Sequence, residues 1–324
     1  VLNYIIRRLL GLIPTFIIIT LVAFFVLTLM GDPFEQMKMN PQIPKGQIER
    51  LRRQWGFDQP WFIRYVKWFI SFMQGNWGPS ISQNPTDVYH AVMERIPISL
   101  YLGIYTIILE LLIALPLGIF TAIKQYTIWD NLVTFLVFLG LSMPSFFAGV
   151  LSLYYFAGVM KIFPNGGIGP DTFYTADYTF YQVYLVRSYY LMLPVVIWGI
   201  LFSGSLLRYV RSAMLEVMNQ DYIRTARAKG LPEEVVIRKH ALKNAMVTLV
   251  TILVLMIPGI IGGGIITEQI FNIRGIGKLM WTGLNQQDIP LVMAILIIQS
   301  VLTLFANLLA DILYGVIDPR VRYS

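Results

Sequence analysis

The sequence predicts an all-α membrane protein with six transmembrane helices. Three observations carry that prediction. Of its 324 residues, 56% are hydrophobic and 13% charged, where soluble domains carry about 25% charged residues. The mean hydropathy is +0.63. Six apolar runs are each long enough for a hydrocarbon layer of roughly 30 Å. The net charge of +7 needs no nucleic acid, because the positive-inside rule and anionic lipid account for it. No cysteine occurs, and the two histidines, His90 and His240, lie far apart. The sequence therefore offers no disulfide, no thiolate nucleophile and no metal-ligand spacing.

The first run covers residues 9–29, behind Arg7 and Arg8. About 20 apolar residues are too many for a signal-peptide core, and no small-x-small site closes them, so the run reads as a retained anchor. Residues 31–97 form the longest polar segment. Within it, 48–55 and 61–72 have helical apolar spacing. Trp55, Trp61, Trp68 and Trp77 suit a bilayer interface, a packed cap or a partner surface. The second run (98–123) and third (132–160) are joined by a short turn at 124–131. A loop at 162–188 precedes the fourth run, 189–207, which leads through Arg208 and Arg211 into a polar island at 221–244. The fifth run covers 245–266 and the sixth 291–315, with a polar segment at 267–290 between them. The chain thus divides into an anchor (1–30), an insert (31–97) and a five-helix core (98–324) whose connecting loop spans 212–245.

Six spans put both ends on one side. Arg7, Arg8, Lys124, the basic residues of the island, Arg320 and Arg322 share that side. The short loops opposite hold Lys161, Arg187, Arg274 and Lys278. The excess of Lys and Arg makes the termini and the island cytoplasmic and the insert extracytoplasmic.

The island writes two helices with a corner between them. Asp221 suits a helix start, Gly230 a stop, and Pro232 with Glu233 and Glu234 a new start. Ala226 and Ala228 keep the first helix slim, while Arg224, Arg227 and Lys229 charge it. An ordinary basic loop would also fit this composition. The elements RTARAKGL (224–231) and HALKNA (240–245), however, resemble the EAA loop of ABC-importer permeases in its dipeptide/oligopeptide form. The chain departs from the general pattern, with Arg224, Thr225 and Ala226 in place of Glu-Ala-Ala and Leu242-Lys243 in place of Leu-Pro. RRLL near the start, RRQWGFDQPWFIRYVKW, GNWGPS, ITEQIF, GIGKL and the DPR tail are similar to the same family.

That resemblance implies a type I ABC importer permease fold in a prokaryotic cytoplasmic membrane. It implies a second, related permease, two cytoplasmic ATPases and an extracytoplasmic solute-binding protein as partners. Arg224, Thr225, Ala226, Arg227, Ala228, Lys229, Gly230 and Leu231 become the coupling residues that dock on an ATPase. ATP and Mg belong to those partners, and this chain holds no cofactor and no catalytic or metal residue. Peptides fit the family best, and nickel chelates or oligosaccharides are the alternative cargo. Gly230→Pro or Ala226→Glu is expected to uncouple ATP hydrolysis from uptake.

Other signals weigh less. Gly275-Ile276-Gly277-Lys278 lacks a P-loop's first glycine and its Ser/Thr, since Asn272 and Leu279 stand there. The two-helix island resembles a DNA-binding helix-turn-helix only in outline, being tethered between membrane spans. Pro258, Gly262, Gly263 and Gly264 permit a bend or close helix approach, for packing or for a gate. Glu110 is a carboxylate deep in a span, where a charge costs about 3 kcal/mol on insertion scales. It is a pathway candidate or a structural hydrogen-bonding group. Glu268, near the outer end of the fifth run, is a further pathway candidate. An ion-coupled carrier would show an internal repeat and ion ligands beside broken helices, and neither is evident. A purely structural subunit would tolerate changes in the island.

Overall fold

A computed structural model describes residues 2–32, 34, 45–54, 56–80, 87–170 and 178–317. Trp55 and the tail from Asp318 to Arg322, both used above, lie outside the described residues. Among those residues the regular structure is helical, with a single isolated bridge between Pro79 and Asp87.

In chain order the helices are α1 (Leu2–Leu29), α2 (Lys45–Gln54), α3 (Trp61–Met73), α4 (Val88–Met93), α5 (Ile96–Ile123), α6 (Ile128–Ser142) and α7 (Ser145–Ser152). A π-helical stretch, Leu153–Val159, continues α7. Then come α8 (Phe180–Met218), α9 (Asp221–Ala228) and α10 (Glu233–Val235), the last extended by a second π-helical stretch, Val236–Leu242. The chain goes on through α11 (Lys243–Gly262), α12 (Ile265–Ile270), α13 (Ile276–Asn285) and α14 (Ile289–Ile317). Four helical stretches are long and apolar enough to cross a membrane, and two bent pairs bring the total to six.

The expected third span is one of those pairs. It breaks at Met143-Pro144 and bends by 92°. Pro144 has no N–H to continue α6, and Met143 before it is extended, with ψ 123°. The fourth span is far longer than its apolar run. The 39 residues of α8 measure about 58 Å at 1.5 Å per residue, well beyond the hydrocarbon layer. Thr179 and Gln182 form a capping box at its start. In the fifth span Pro258 lies inside the helix. The helix ends instead at Gly262, before Gly263 with its φ of +69°, so residues 265–270 form a separate helix.

The chain divides into two compact units. The first comprises residues 1–99, 261–265 and 274–308. Its core joins α1, α3, α4, α13 and the first half of α14 around Phe24, Val92, Leu279 and Met293. The tryptophans of the insert pack within this unit: Trp61 on Phe25 (ring centroids 5.0 Å apart), Trp68 on Phe24 (5.7 Å) and Trp77 on Phe72 (4.9 Å). Gly277, in the rejected nucleotide-loop motif, serves close packing, because a Cβ there would lie 2.7 Å from the Ile265 nitrogen. Asp288 is fully buried. It caps α14 by accepting the Leu291 N–H at 3.2 Å and the Ser80 hydroxyl at 2.5 Å.

The second unit comprises residues 100–260, 266–273 and 309–324. Its helices approach closely at glycines. A Cβ on Gly118 would meet Val210 at 2.7 Å, and one on Gly199 would meet Leu109 at 2.8 Å. Such small residues let membrane helices pack backbone to backbone. The island belongs to this unit.

Candidate coupling corner and pathway residues

Helix α9 starts one residue away from the expected cap. Gln220 is the N-cap and makes no side-chain cap bond, and Asp221 is the first helical residue. The stop is as the glycine required. Gly230 has φ +74°, its N–H donates to the Arg227 carbonyl at 2.9 Å, and the Leu231 N–H donates to the Ala226 carbonyl at 3.4 Å. These two bonds make a Schellman motif, which satisfies carbonyls that a helix end leaves open. A Cβ on Gly230 would meet nothing within 4 Å. The glycine is there for its backbone angle and not for space.

Pro232 then caps α10 with φ −57° and ψ 140°. A fork of two bonds closes the corner from outside: Arg227 Nη2 donates to Glu233 Oε1 at 2.7 Å, and Arg227 Nε to Oε2 at 3.1 Å. This bidentate geometry is the strong form of an ion pair, and it pushes the Arg227 pKa further up. Both side chains remain exposed, at 40% and 54%.

The inner side of the corner is apolar. Ile223 and Ala226 are buried against Val210 and Met214 of α8 and against Val236 and Ala241 beyond the corner. Ala226 was expected to give a slim surface for another protein. Its side chain instead faces the chain's own core, 6% exposed. The outward-facing residues of the set are Arg224, Thr225, Arg227, Ala228, Lys229, Gly230 and Leu231. Tyr222 and Val235 are exposed beside them. These two were not singled out in the sequence, although Tyr222 sits one turn before Ala226.

An ion pair that sequence spacing did not announce lies behind the corner. Arg211 Nη2 of α8 donates to Asp130 Oδ2 of α6 at 2.9 Å, and Asp130 is buried at 4% exposure. The partners are 81 residues apart, beyond any local pattern.

The pathway candidates fall in different places. Glu110 is buried in α5, and its carboxyl has no hydrogen bond or ion pair among the described residues. Pro258 lies within α11. Glu268 is fully buried on α12, so it does not continue the fifth span. Gly262, Gly263 and Gly264 belong to the first unit, where Gly262 accepts a bond from Gln299 at 3.1 Å. Among the described residues no cluster of three or more His, Cys, Asp or Glu could hold a metal.

A family model described as the binding-protein-dependent transport system inner membrane component matches residues 114–323. A second model, for the N-terminal part of such membrane components, matches residues 1–103. The chain is 39% identical over 321 residues, 99% of each chain, to the oligopeptide transport system permease protein AppB of Bacillus subtilis strain 168. It is 33% identical over 321 residues, again 99% of each chain, to the dipeptide transport system permease protein DppB of Lactococcus lactis subsp. cremoris. To DppB of Escherichia coli K12 it is 32% identical over 338 residues, covering 100% of this chain and 99% of the relative.

Proposed function

We propose a peptide-import role on one premise: the chain belongs to the binding-protein-dependent transport system inner membrane component family. It is a permease-type membrane component and is not itself an enzyme. The finer reading is ours. The chain forms part of the translocation pathway for di- or oligopeptides together with a second, related permease. Two ATPase subunits on the cytoplasmic side hold ATP and Mg and dock on the corner at 224–231. An extracytoplasmic binding protein delivers the solute, and alternating access moves it inward. The termini and the corner face the cytoplasm of a prokaryotic cell.

The observation that supports this most is similarity over nearly the whole length, at 32–39% identity, to proteins named peptide permeases in three organisms. The shape of the corner agrees with it. A rigid, charged turn with an apolar inner side and a free outer side suits a groove on another protein. Glu110, Pro258, Gly262, Gly263, Gly264 and Glu268 are the pathway and gate residues of this reading. The names of these relatives favour peptides over nickel chelates or oligosaccharides.

The test is a pull-down of the tagged chain from native membranes. Recovery of a second permease and P-loop ATPases is expected, with a peptide-binding protein in the same sample. A chain that comes down alone, in several mild detergents, would overturn the heteromeric importer. A copurifying protein that binds a sugar or a metal chelate, and no peptide, would overturn the cargo.

A further inference from the structure

The turn between α5 and α6 closes around one carboxylate. Asp130 Oδ2 accepts the Arg211 guanidinium at 2.9 Å and the Tyr126 N–H at 3.0 Å, and Oδ1 accepts the Thr134 hydroxyl at 3.4 Å. Tyr126 itself has φ +64°, a left-handed conformation that non-glycine residues rarely adopt. Three groups and a strained backbone therefore converge on Asp130.

Arg211 sits in the last two turns of α8, beside Val210 and Met214, which hold Ile223 and Ala226 of the corner. Farther along the same seam α6 packs closely on α8. A Cβ on Gly204 would meet Val137 at 3.1 Å and Leu141 at 3.3 Å. That apolar contact already holds the two helices together. A buried ion pair adds little net stability, because its desolvation offsets its attraction. What it adds is register and direction, since the single Arg211 Nη2 contact, together with the Tyr126 and Thr134 bonds, fits the carboxylate in few arrangements of the two helices.

We propose that Asp130 and Arg211 are a positioning pair that makes the start of α6 move with the coupling corner. Displacement of α9 passes through Ile223 and Ala226 to the end of α8. It then passes through Arg211 and Asp130 to α6, and so to the bend at Pro144. The proposal rests on the docking role given above to the corner.

The chain has no cysteine, so two introduced cysteines report cleanly. Spin labels at Asn131→Cys and Asn219→Cys, both exposed positions outside the corner, span the clasp. The distance between them is measured in the complex with its copurified ATPases, without nucleotide and with ATP-Mg trapped by vanadate. In the otherwise unaltered complex the distance is expected to be the same in both states. With Asp130→Asn it is expected to match without nucleotide and to shift or broaden with it. Arg211→Gln should behave alike, the double variant no worse than either single one, and Arg211→Lys should recover part of the coupling.

A distance that already changes with nucleotide in the unaltered clasp would overturn the proposal. So would variants that change both states equally, or neither, as a merely structural pair would. Should Asp130→Asn fail to assemble, Asp130→Glu decides. It keeps the charge but lengthens the clasp, and a nucleotide-dependent shift supports the proposal while its absence overturns it. Failure of the unaltered chain to copurify with any ATPase would instead overturn the docking role, and this proposal with it.

Discussion

Two of the arginine–carboxylate pairs of the second unit invite comparison. Arg211–Asp130 and Arg227–Glu233 have similar lengths, 2.9 Å and 2.7 Å. The first is buried, joins residues 81 positions apart and meets further donors. The second is exposed, spans six positions and closes a single turn. The difference separates two tasks. The buried pair sets how helices lie against one another, whereas the exposed pair trims a corner whose conformation is already fixed by Gly230 and by the apolar residues beneath it. Burial, and not ion-pair length, therefore ranks the effects expected around the corner.

The largest effect is expected at Ala226. Its methyl group is buried among Ile223, Val236 and Met214. Ala226→Glu would place a carboxylate there without a partner, at a cost of about 3 kcal/mol or more. The burial adds a consequence to the expected uncoupling: the corner itself should come loose. The thermal melt of the purified complex should fall and protease cutting near residue 230 should rise. Ala226→Glu with a parental melt would remove the distinction between inner and outer faces.

How much of this was legible in the sequence differs by region, for physical reasons. The spans were legible because apolar length is a property of the sequence alone. The corner was legible because Gly230 and Pro232 punctuate the backbone locally. The division of the third span was not foreseen, although Pro144 stood in plain view, because apolar composition runs unbroken across it. The end of the fifth span was placed too late, at residue 266, since Gly263 stops the helix after residue 262. Asp130 looked like a turn residue, as its meaning depends on Arg211, which only the packing of α6 on α8 brings near. The inner face of α9 was also hidden. Eight residues of mixed charge show no clear apolar stripe until Val236 and Ala241 fold back on Ile223.

Gly230 comes next in size. Its φ of +74° costs about 1–2 kcal/mol for a residue with a Cβ, although the space around it is open. Gly230→Ala should cost stability by that amount, read as a lower melt, and leave assembly intact, and Gly230→Asn should cost less, because Asn tolerates this region. Gly230→Pro is more severe, since it also removes the N–H that donates to Arg227. It should lower solute taken up per ATP hydrolysed while the chain still enters the membrane. Equal effects of Ala, Asn and Pro would show that the backbone angle is not what the corner needs.

The smallest effect tests whether geometry distinguishes pairs on the outer face. Arg227–Glu233 is bidentate, whereas Arg238–Glu234 is a single contact at 3.2 Å with both side chains 77% exposed. Exposed pairs contribute about 0.2–1 kcal/mol, and many contribute nothing measurable. The forked pair should lie at the upper end, because two parallel bonds fix one geometry and the corner holds its partners close. A double-mutant cycle with Arg227→Ala and Glu233→Ala should therefore give a coupling energy that shrinks as salt rises. The same cycle with Arg238→Ala and Glu234→Ala should give none. Equal coupling energies would mean that the fork adds nothing to an exposed pair here, and that the corner is held by Gly230 and the buried face of α9 alone.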